Sequence, residues 1–534
     1  MGPTVARSII DAAALHGATT VFGLPGVHNL AFWRAPERAP LVVRHEQAAV
    51  YAADGWARAT GTLGAAVVTT GPGAANAVAA FGEAAAARSP VLLVASEIPQ
   101  ALRREGRLRG VLHESRDQAA FFAPLAKAVF TPRTTAEVAS ALDAALATAM
   151  LHPRGPVYLD VPADVLNHDA VALSRRAEAP WSEFLPDAAD LDAAAALLAG
   201  ARVVIWAGTG AVDAEPSLAV LAEHLGAPVV NSFGGRGVPP TAHPAAVGLP
   251  PHEPEVAELI GSADVLLAVG GDLDGMNTRN WTMPRPPLLV TIDPTHPGDP
   301  PEWAPDAAVT GQLGEALRGL RDRLPARSPW APQSLRERVH ARLAADPATA
   351  EAIALVQAVD AARTPETVLV CDMAVAGYWV GGYASAPAPR RLAYPVGWGT
   401  LGFGLPAAIG PAAAGHPVIA VCGDGGIAMA LGELATLVQE RLPVTVLVVD
   451  DLGYGMLRYD QARNGDPASG VDLVTPDFLG LAAAFGLPAT GVRSIRDGLA
   501  DALAKGVAAN GPHLVHVNAR LTPPRTTSPR WHEG

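Results

Sequence analysis

The pattern that most constrains this chain is a repeated alternation of short apolar runs with alanine-rich stretches of helical length. In the first block the runs 20–22, 65–69, 91–94 and 157–160 alternate with the helical stretches 46–60 and 74–88. Strands separated by helices need crossover connections, and crossovers build a parallel sheet with helices on both faces. The pattern recurs at 202–206, 229, 265–269 and 288–292, and again at 368–371, 418–422, 444–449 and 514–517. Two proline-bearing linkers, 167–186 and 325–334, interrupt it. The expectation is an α/β protein of three doubly wound parallel-sheet domains, at residues 1–166, 187–322 and 345–534. A chain of 534 residues suits that count at ~100–200 residues per domain.

What the chain lacks removes other classes. Its net charge of −13 repels a phosphate backbone, so no nucleic-acid partner is expected. Lys127 and Lys505 are the only lysines, and no Gly-Lys-Ser/Thr occurs. That removes a P-loop and leaves a Schiff-base enzyme only those two residues. Cys371 and Cys422 are the only cysteines, too few for a thiolate zinc site or a disulfide framework. A reducing, cytoplasmic setting is expected. The first 17 residues hold no apolar run of signal-peptide length. The uncharged stretch 392–415 has the length of a membrane span but contains six Gly and three Pro, which break a membrane helix. It reads as a glycine-rich loop entering a buried helix, and no membrane association is expected.

The chemistry concentrates in the third block. Val421-Cys-Gly-Asp-Gly-Gly426 is followed, 27 residues after Asp424, by Asp451 in Asp450-Asp-Leu-Gly-Tyr-Gly455. Each segment follows an apolar strand, and in a parallel sheet ligands bind beyond the carboxyl ends of the strands. Carboxylates there suit a hard cation such as Mg²⁺. The amides of Gly425 and Gly426, at a helix start, suit phosphate oxygens. The residues alone therefore point to a magnesium diphosphate site, with a simple tight turn as the alternative.

The pairing resembles the GDG…N signature of thiamine-diphosphate (ThDP) enzymes, in the branch of acetolactate synthase, benzoylformate decarboxylase and benzaldehyde lyase. That resemblance covers almost the whole chain and implies pyrimidine-binding, central and diphosphate-binding domains. It implies metal ligation by Asp424, Asp451 and the Gly453 carbonyl. Asp451 stands where the family uses Asn, and its extra carboxylate attracts the cation while repelling the diphosphate. The segment 397–410, Gly-Trp-Gly-Thr-Leu-Gly-Phe-Gly onward, resembles the family's grip on the aminopyrimidine. By that match Gly399 and Leu401 bind the ring edge through their backbones, and the Leu401 side chain is the wedge that bends the cofactor. Asp372 is assigned to the diphosphate side. Tyr454, Gly455 and Met456 lie in a segment similar to the one that roofs cofactor and substrate in the decarboxylases. In the first block, Arg44-His-Glu-Gln47 resembles the motif that places the activating acid, here Glu46, against N1′ of the aminopyrimidine. Read alone, Glu46 is also a helix N-terminal carboxylate. The stretches 23–26 and 69–76 resemble two pyrimidine-side loops and nominate Gly26 and Asn76. In the family the acid and the GDG come from different subunits, which implies a homodimer or homotetramer with the site between subunits.

His28 resembles an active-site His of the benzaldehyde lyases, and His113 falls where acetolactate synthases and lyases carry a Gln. An imidazole in either place can relay protons; each also reads as an exposed or capping His. Thr69 and Thr70 occupy the place of a catalytic His in benzoylformate decarboxylase, so that mechanism is not copied. The middle block resembles a flavin-binding domain but lacks its Arg-containing and GMHG-like segments, so FAD is not expected. The expected activity is ThDP- and Mg²⁺-dependent cleavage or formation of a C–C bond next to a carbonyl. Non-oxidative 2-oxo acid decarboxylation, carboligation, or both come first. An acyloin or 2-hydroxyacyl-CoA lyase acting on a 2-hydroxy ketone is the alternative. A non-catalytic ThDP-binding regulatory subunit is the alternative from another class, and Glu46 argues against it.

Overall fold

The computed structural model describes residues 3–104, 106–170, 184–295, 302–331 and 334–527. Most of the expected linker at 167–186 lies outside them. Three parallel sheets are present. The first contains β1 (Val21–Gly23), β2 (Leu41–Val42), β3 (Gly64–Val68), β4 (Val91–Glu97), β5 (Ala128–Phe130) and β6 (Val157–Pro162), in the order β2-β1-β3-β4-β6-β5. The second contains β7 (Val203–Ala207), β8 (Val229–Asn231), β9 (Val265–Val269), β10 (Leu288–Asp293) and β11 (Ala307–Thr310), in the order β11-β10-β9-β7-β8. The third contains β12 (Val368–Cys371), β13 (Leu392–Ala393), β14 (Val418–Gly423), β15 (Val444–Asp450), β16 (Ala489–Val492) and β17 (His513–Asn518), in the order β13-β12-β14-β15-β17-β16. The expected three-domain α/β architecture is borne out.

The first and third sheets share one topology, strand for strand. In each, the winding reverses between the first and third strands, β1/β3 and β12/β14. Helices leave in opposite directions from such a pair, opening a crevice at the strand ends.

The central strands are Val-, Ala- and Leu-rich and buried along their length, as helices on both faces require. The sequence reading did not pick out β2, β5, β11, β13 or β16, and all five are edge strands. An edge strand has one sheet neighbour and needs less apolar surface. In β16 exposed and half-buried residues alternate. The helix expected over 74–88 is two helices, Pro72–Asn76 and Val78–Ala86. The break at Ala77 leaves the Asn76 side chain free to reach Glu46.

The first and third domains are locked by one helix pair. Helix Glu46–Thr60 is capped by the His45 side chain and ended by left-handed Gly61. It packs on helix Gly404–Ala413. The backbones touch: a Cβ on Gly55 would lie 2.0 Å from the Ala407 carbonyl oxygen, and one on Gly410 would lie 2.1 Å from that of Ala52. Glycine is required at both points. Between these domains the half-buried Arg58 pairs with buried Asp54 and Glu83.

Three imidazoles shielded from water, His252 buried and His152 and His340 half-buried, carry an acid-sensitive contribution to folding. Burial pushes His152, His252 and His340 from an ordinary 6.5 down to about 4. Unfolded, each takes up a proton as the pH falls through 6.5; folded, each does so only near 4. For these imidazoles unfolding binds protons in that window, so their contribution to stability falls as pH falls through it. Buried carboxyls such as Asp160 and Asp372, pushed up to about 6, bind protons on folding and act with the opposite sign there, so the imidazole contribution is read as a difference. The melting temperature of His252→Asn relative to wild type should rise as pH falls from 6.5 to 4; a difference independent of pH would show that His252 is not held neutral.

Candidate active site

The crevice of the first domain gathers residues from three loops. After β1, the Gly26 amide donates to buried Asn29 Oδ1 at 2.7 Å. A Cβ on Gly26 would lie 2.7 Å from Thr69 Cβ, after β3. Glu46 opens the helix behind β2, where its charge suits the helix N-terminus. It is buried, and its Oε2 accepts from Asn76 Nδ2 at 3.0 Å. A Cβ on Gly73 would lie 3.1 Å from Glu46 Oε1. Gly26, Glu46 and Asn76 thus converge around Thr69. His28 and His113 face each other with ring centroids 5.4 Å apart. His113 has φ 65°, a left-handed conformation that costs a non-glycine residue and clusters at functional sites. Burial, then the neighbouring His113, lowers the pKa of His28.

Sequence reading missed the residue that ties these loops together. Buried Gln118 accepts from the Gly71 amide at 2.6 Å and from Thr70 Oγ1 at 2.8 Å. Its Nε2 donates to the Ser96 carbonyl and to Tyr158 Oη. Asn29 was missed as well. A polar residue in a loop gives no sign of burial; the only hint was the proximity of Gln118 to His113 in sequence.

The matching crevice of the third domain holds the acidic turn. Asp424 starts the short helix Asp424–Ile427, and its Oδ2 accepts from the Gly453 amide at 2.7 Å. Asp451 lies close by: burial, then the Asp424 charge, pushes its carboxyl up to about 6. The turn between Asp451 and Gly455 admits little else. Gly453 has φ 148°, and a Cβ there would lie 2.0 Å from the Val471 carbonyl oxygen. A Cβ on Gly455 would lie 1.8 Å from Asp451 Oδ2, and one on Gly425 would lie 2.7 Å from the Tyr454 ring. Met456 packs half-buried against the core shared by the second and third domains.

Asp372 acts through its carboxylate. It is fully buried, and its Oδ1 accepts from the amides of Met373 at 2.8 Å and Gly402 at 3.0 Å. It thereby fixes the loop in which Gly399 and Gly402 both adopt φ 78° and which holds Leu401 41% exposed. Its Oδ2 points at Gly426, where a Cβ would come within 2.8 Å.

Both crevices contain buried polar atoms without a partner: His28 Nδ1, His113 Nδ1, Thr69 Oγ1, Asp372 Oδ2 and Asp451 Oδ1. Each such atom costs about 1–3 kcal/mol, and a ligand can supply the missing partner. Among the described residues no group of three or more His, Cys, Asp or Glu is placed to hold a metal unaided. Mg²⁺ typically takes one or two carboxylates and fills its shell with phosphate and water. The third-domain donors fit that ion on a diphosphate, and the first-domain donors fit a hydrogen-bonding heterocycle. Among the described residues, no hydrogen bond joins the Glu46 cluster to the Asp424–Asp451 turn.

A cavity of about 430 Å³ lies elsewhere, beyond β7 and β9 where all three domains meet. Its glycine loop is closed on itself, with the Gly210 amide donating to the Gly270 carbonyl at 2.8 Å. Arg88–Asp272 and Arg154–Asp213 ion pairs join the first and second domains at its wall. None of the catalytic or metal-ligating candidates lines it.

Three family models match the chain. They are described as the N-terminal TPP binding domain, the central domain and the C-terminal TPP binding domain of thiamine pyrophosphate enzymes, over residues 3–121, 191–320 and 372–517. A Pseudomonas aeruginosa protein named "Probable 2-ketoarginine decarboxylase" is 34% identical over 90% of this chain and 88% of its own. The acetolactate synthase isozyme 3 large subunit of Escherichia coli is 30% identical, with 90% and 88% covered. Among solved structures, the thiamine diphosphate-dependent 4-hydroxybenzoylformate decarboxylase of Rhodococcus jostii RHA1 superposes with a TM-score of 0.81 at 25% identity, over 98% of this chain and 100% of that one.

Proposed function

The chain belongs to the thiamine pyrophosphate enzyme family, and from that premise we propose that it decarboxylates a 2-oxo acid non-oxidatively, with or without carboligation to an acceptor carbonyl. The observation that carries this reading is the pair of topologically equivalent crevices. One presents the buried Glu46–Asn76 pair, the other the Asp424–Asp451 turn. Bound ThDP supplies the electron sink for carbon–carbon chemistry at its C2. Glu46 holds a proton against N1′ of its aminopyrimidine, and Asn76 orients the Glu46 carboxyl. Asp424, Asp451 and the Gly453 carbonyl hold Mg²⁺, with the Gly425 and Gly426 amides facing the diphosphate. Gly399 and Leu401 take the pyrimidine edge, and the Leu401 side chain sets the bend. His28 and His113 move protons to and from the substrate. His28, with its pKa lowered, starts as a neutral base.

The active unit in this reading is a homodimer or a homotetramer built from such dimers. Val27, Leu112, Trp398, Leu401 and Met429 are exposed apolar residues in or near the two crevices' loops. A second copy that brings one chain's first crevice onto the other's third would cover such a surface. Among the described residues no helix is long and apolar enough to cross a membrane; the proposed setting is the cytoplasm. The relatives above are named as decarboxylases or synthases, which favours a 2-oxo acid donor over an acyloin or 2-hydroxyacyl-CoA. The chain is an enzyme, and the regulatory-subunit reading is dropped.

A substrate screen tests the proposal. Purified protein with ThDP and Mg²⁺ is given pyruvate, branched 2-oxo acids, benzoylformate, 2-ketoarginine, acyloins and a 2-hydroxyacyl-CoA. The expected result is CO₂ release from at least one 2-oxo acid. Aldehyde release from an acyloin or 2-hydroxyacyl-CoA, with no CO₂ from any 2-oxo acid, would move the enzyme to the lyases.

A further inference from the structure

The second carboxylate at the diphosphate turn creates an electrostatic problem that the fold must answer. Asp424 and Asp451 both face a site proposed to accept a polyanion. Asp451 Oδ1 is buried, and no hydrogen-bond partner reaches it among the described residues. Arg458 and, after it, Arg520 act on the Asp451 carboxylate; the one that hydrogen-bonds this turn is Arg458, in helix Gly455–Asn464. Its Nη1 lies 3.9 Å from Asp451 Oδ2 and donates to the Asp451 carbonyl at 3.4 Å. Its Nη2 donates to the Leu452 carbonyl at 2.9 Å. A Cβ on Gly453 would lie 2.6 Å from Nη2. Nε donates to Asp472 Oδ1 at 2.8 Å, which orients the guanidinium from its other side. One side chain therefore spans Asp451, Leu452 and Gly453, the turn that supplies two of the three proposed metal ligands. Both side chains are largely shielded, at 19% and 14% exposed, so the pair is less screened than a surface pair.

Resting on the proposed Mg–ThDP reading, we infer that Arg458 is a positioning residue that offsets the charge of Asp451 and holds the Asp451–Gly453 turn, so that two carboxylates and a diphosphate can share one site. Charge compensation and simple bracing of the turn predict different things. If Arg458 only braces the turn, its loss costs the same whichever residue stands at 451. If it offsets charge, its loss is harmful only while residue 451 is a carboxylate. The two ligands also respond with opposite sign. Without Arg458 the site is more negative, so it binds a bare cation at least as well and a diphosphate less well.

The test is a four-protein comparison of wild type, Asp451→Asn, Arg458→Gln and the double variant. ThDP binding in the presence of Mg²⁺ is followed by calorimetry, and Mn²⁺ binding without ThDP by electron paramagnetic resonance. Arg458→Gln should weaken ThDP binding about tenfold, the scale of a ~1.4 kcal/mol coupling, and leave Mn²⁺ affinity equal or higher. Asp451→Asn should keep ThDP affinity, and the double variant should recover to near wild type. A double variant no better than Arg458→Gln would overturn the inference. So would an Arg458→Gln protein with unchanged ThDP affinity, or with weakened Mn²⁺ affinity. A wild-type protein that binds no ThDP would instead overturn the functional reading beneath it.

Discussion

Replacing Glu46 with Gln should leave the chain folded and lower turnover by roughly 10²–10⁴-fold, the usual contribution of a positioned acid or base. The expectation comes from the environment of the carboxyl group. Glu46 is buried at the first turn of its helix, and Asn76 occupies one of its oxygens. A glutamine is nearly isosteric and can still accept the Asn76 hydrogen bond through its carbonyl oxygen, so packing and capping are preserved. It cannot hold a titratable proton against the aminopyrimidine. The melting temperature of Glu46→Gln should therefore match wild type while decarboxylation collapses. Equal turnover in the two proteins would mean that Glu46 is only a helix-terminal carboxylate.

Arg58→Met should destabilise the chain by about 3–5 kcal/mol, the cost of leaving buried charges without their counter-ion. Arg58 donates to both oxygens of Asp54 at 2.8 and 2.7 Å, to Glu83 at 3.0 Å and to the Tyr394 carbonyl at 3.1 Å. It also lies 5.0 Å from the ring centroid of Phe403. Thr400 Oγ1 donates to the other Glu83 oxygen at 3.1 Å. Tyr394, Thr400 and Phe403 belong to the third domain, so the cluster ties the Glu46 helix to the loop that carries Leu401. Methionine fills the volume but strands two carboxylates, and burial already pushes that of Glu83 upward. The first transition in a urea titration should move to clearly lower denaturant. Replacing Asp54 and Glu83 with apolar residues in the same protein should restore much of the loss, since a buried ion cluster often exchanges for apolar packing at little cost. A shift below about 1 kcal/mol, the size of a surface pair, would show that the three charges are solvated.

How much of this was legible in the sequence follows from where each signal originates. Helix Glu46–Thr60 was readable to the residue, because its start and its Gly61 stop are local features. The interior strands were readable because burial on both faces demands continuous apolar runs. Edge strands such as β13 and β16 were not, since their pairing depends on a neighbour brought in from far along the chain. The same division runs through the site. Asp424 and Asp451 stood out through their spacing and the strands before them. Gln118, Asn29 and Arg458 did not, because each is a common polar residue whose meaning arises from what the fold places against it. The i, i+4 spacing of Asp54 and Arg58 is that of any helix-surface ion pair and gives no sign of burial. Only the docking of helix Gly404–Ala413 and its preceding loop makes that surface an interior.

Proton exchange at C2 of ThDP, followed by proton NMR in D₂O after acid quench, tests the account's central claim most directly, because it reads the activation of the cofactor without requiring the correct donor. Wild-type protein with Mg²⁺ is predicted to accelerate that exchange well beyond the rate of free ThDP, by roughly 100-fold or more if Glu46 acts as a positioned acid, and Glu46→Gln is predicted to lose most of the acceleration while still binding the cofactor. Exchange at the free-cofactor rate in wild type, or full acceleration in Glu46→Gln, would contradict it.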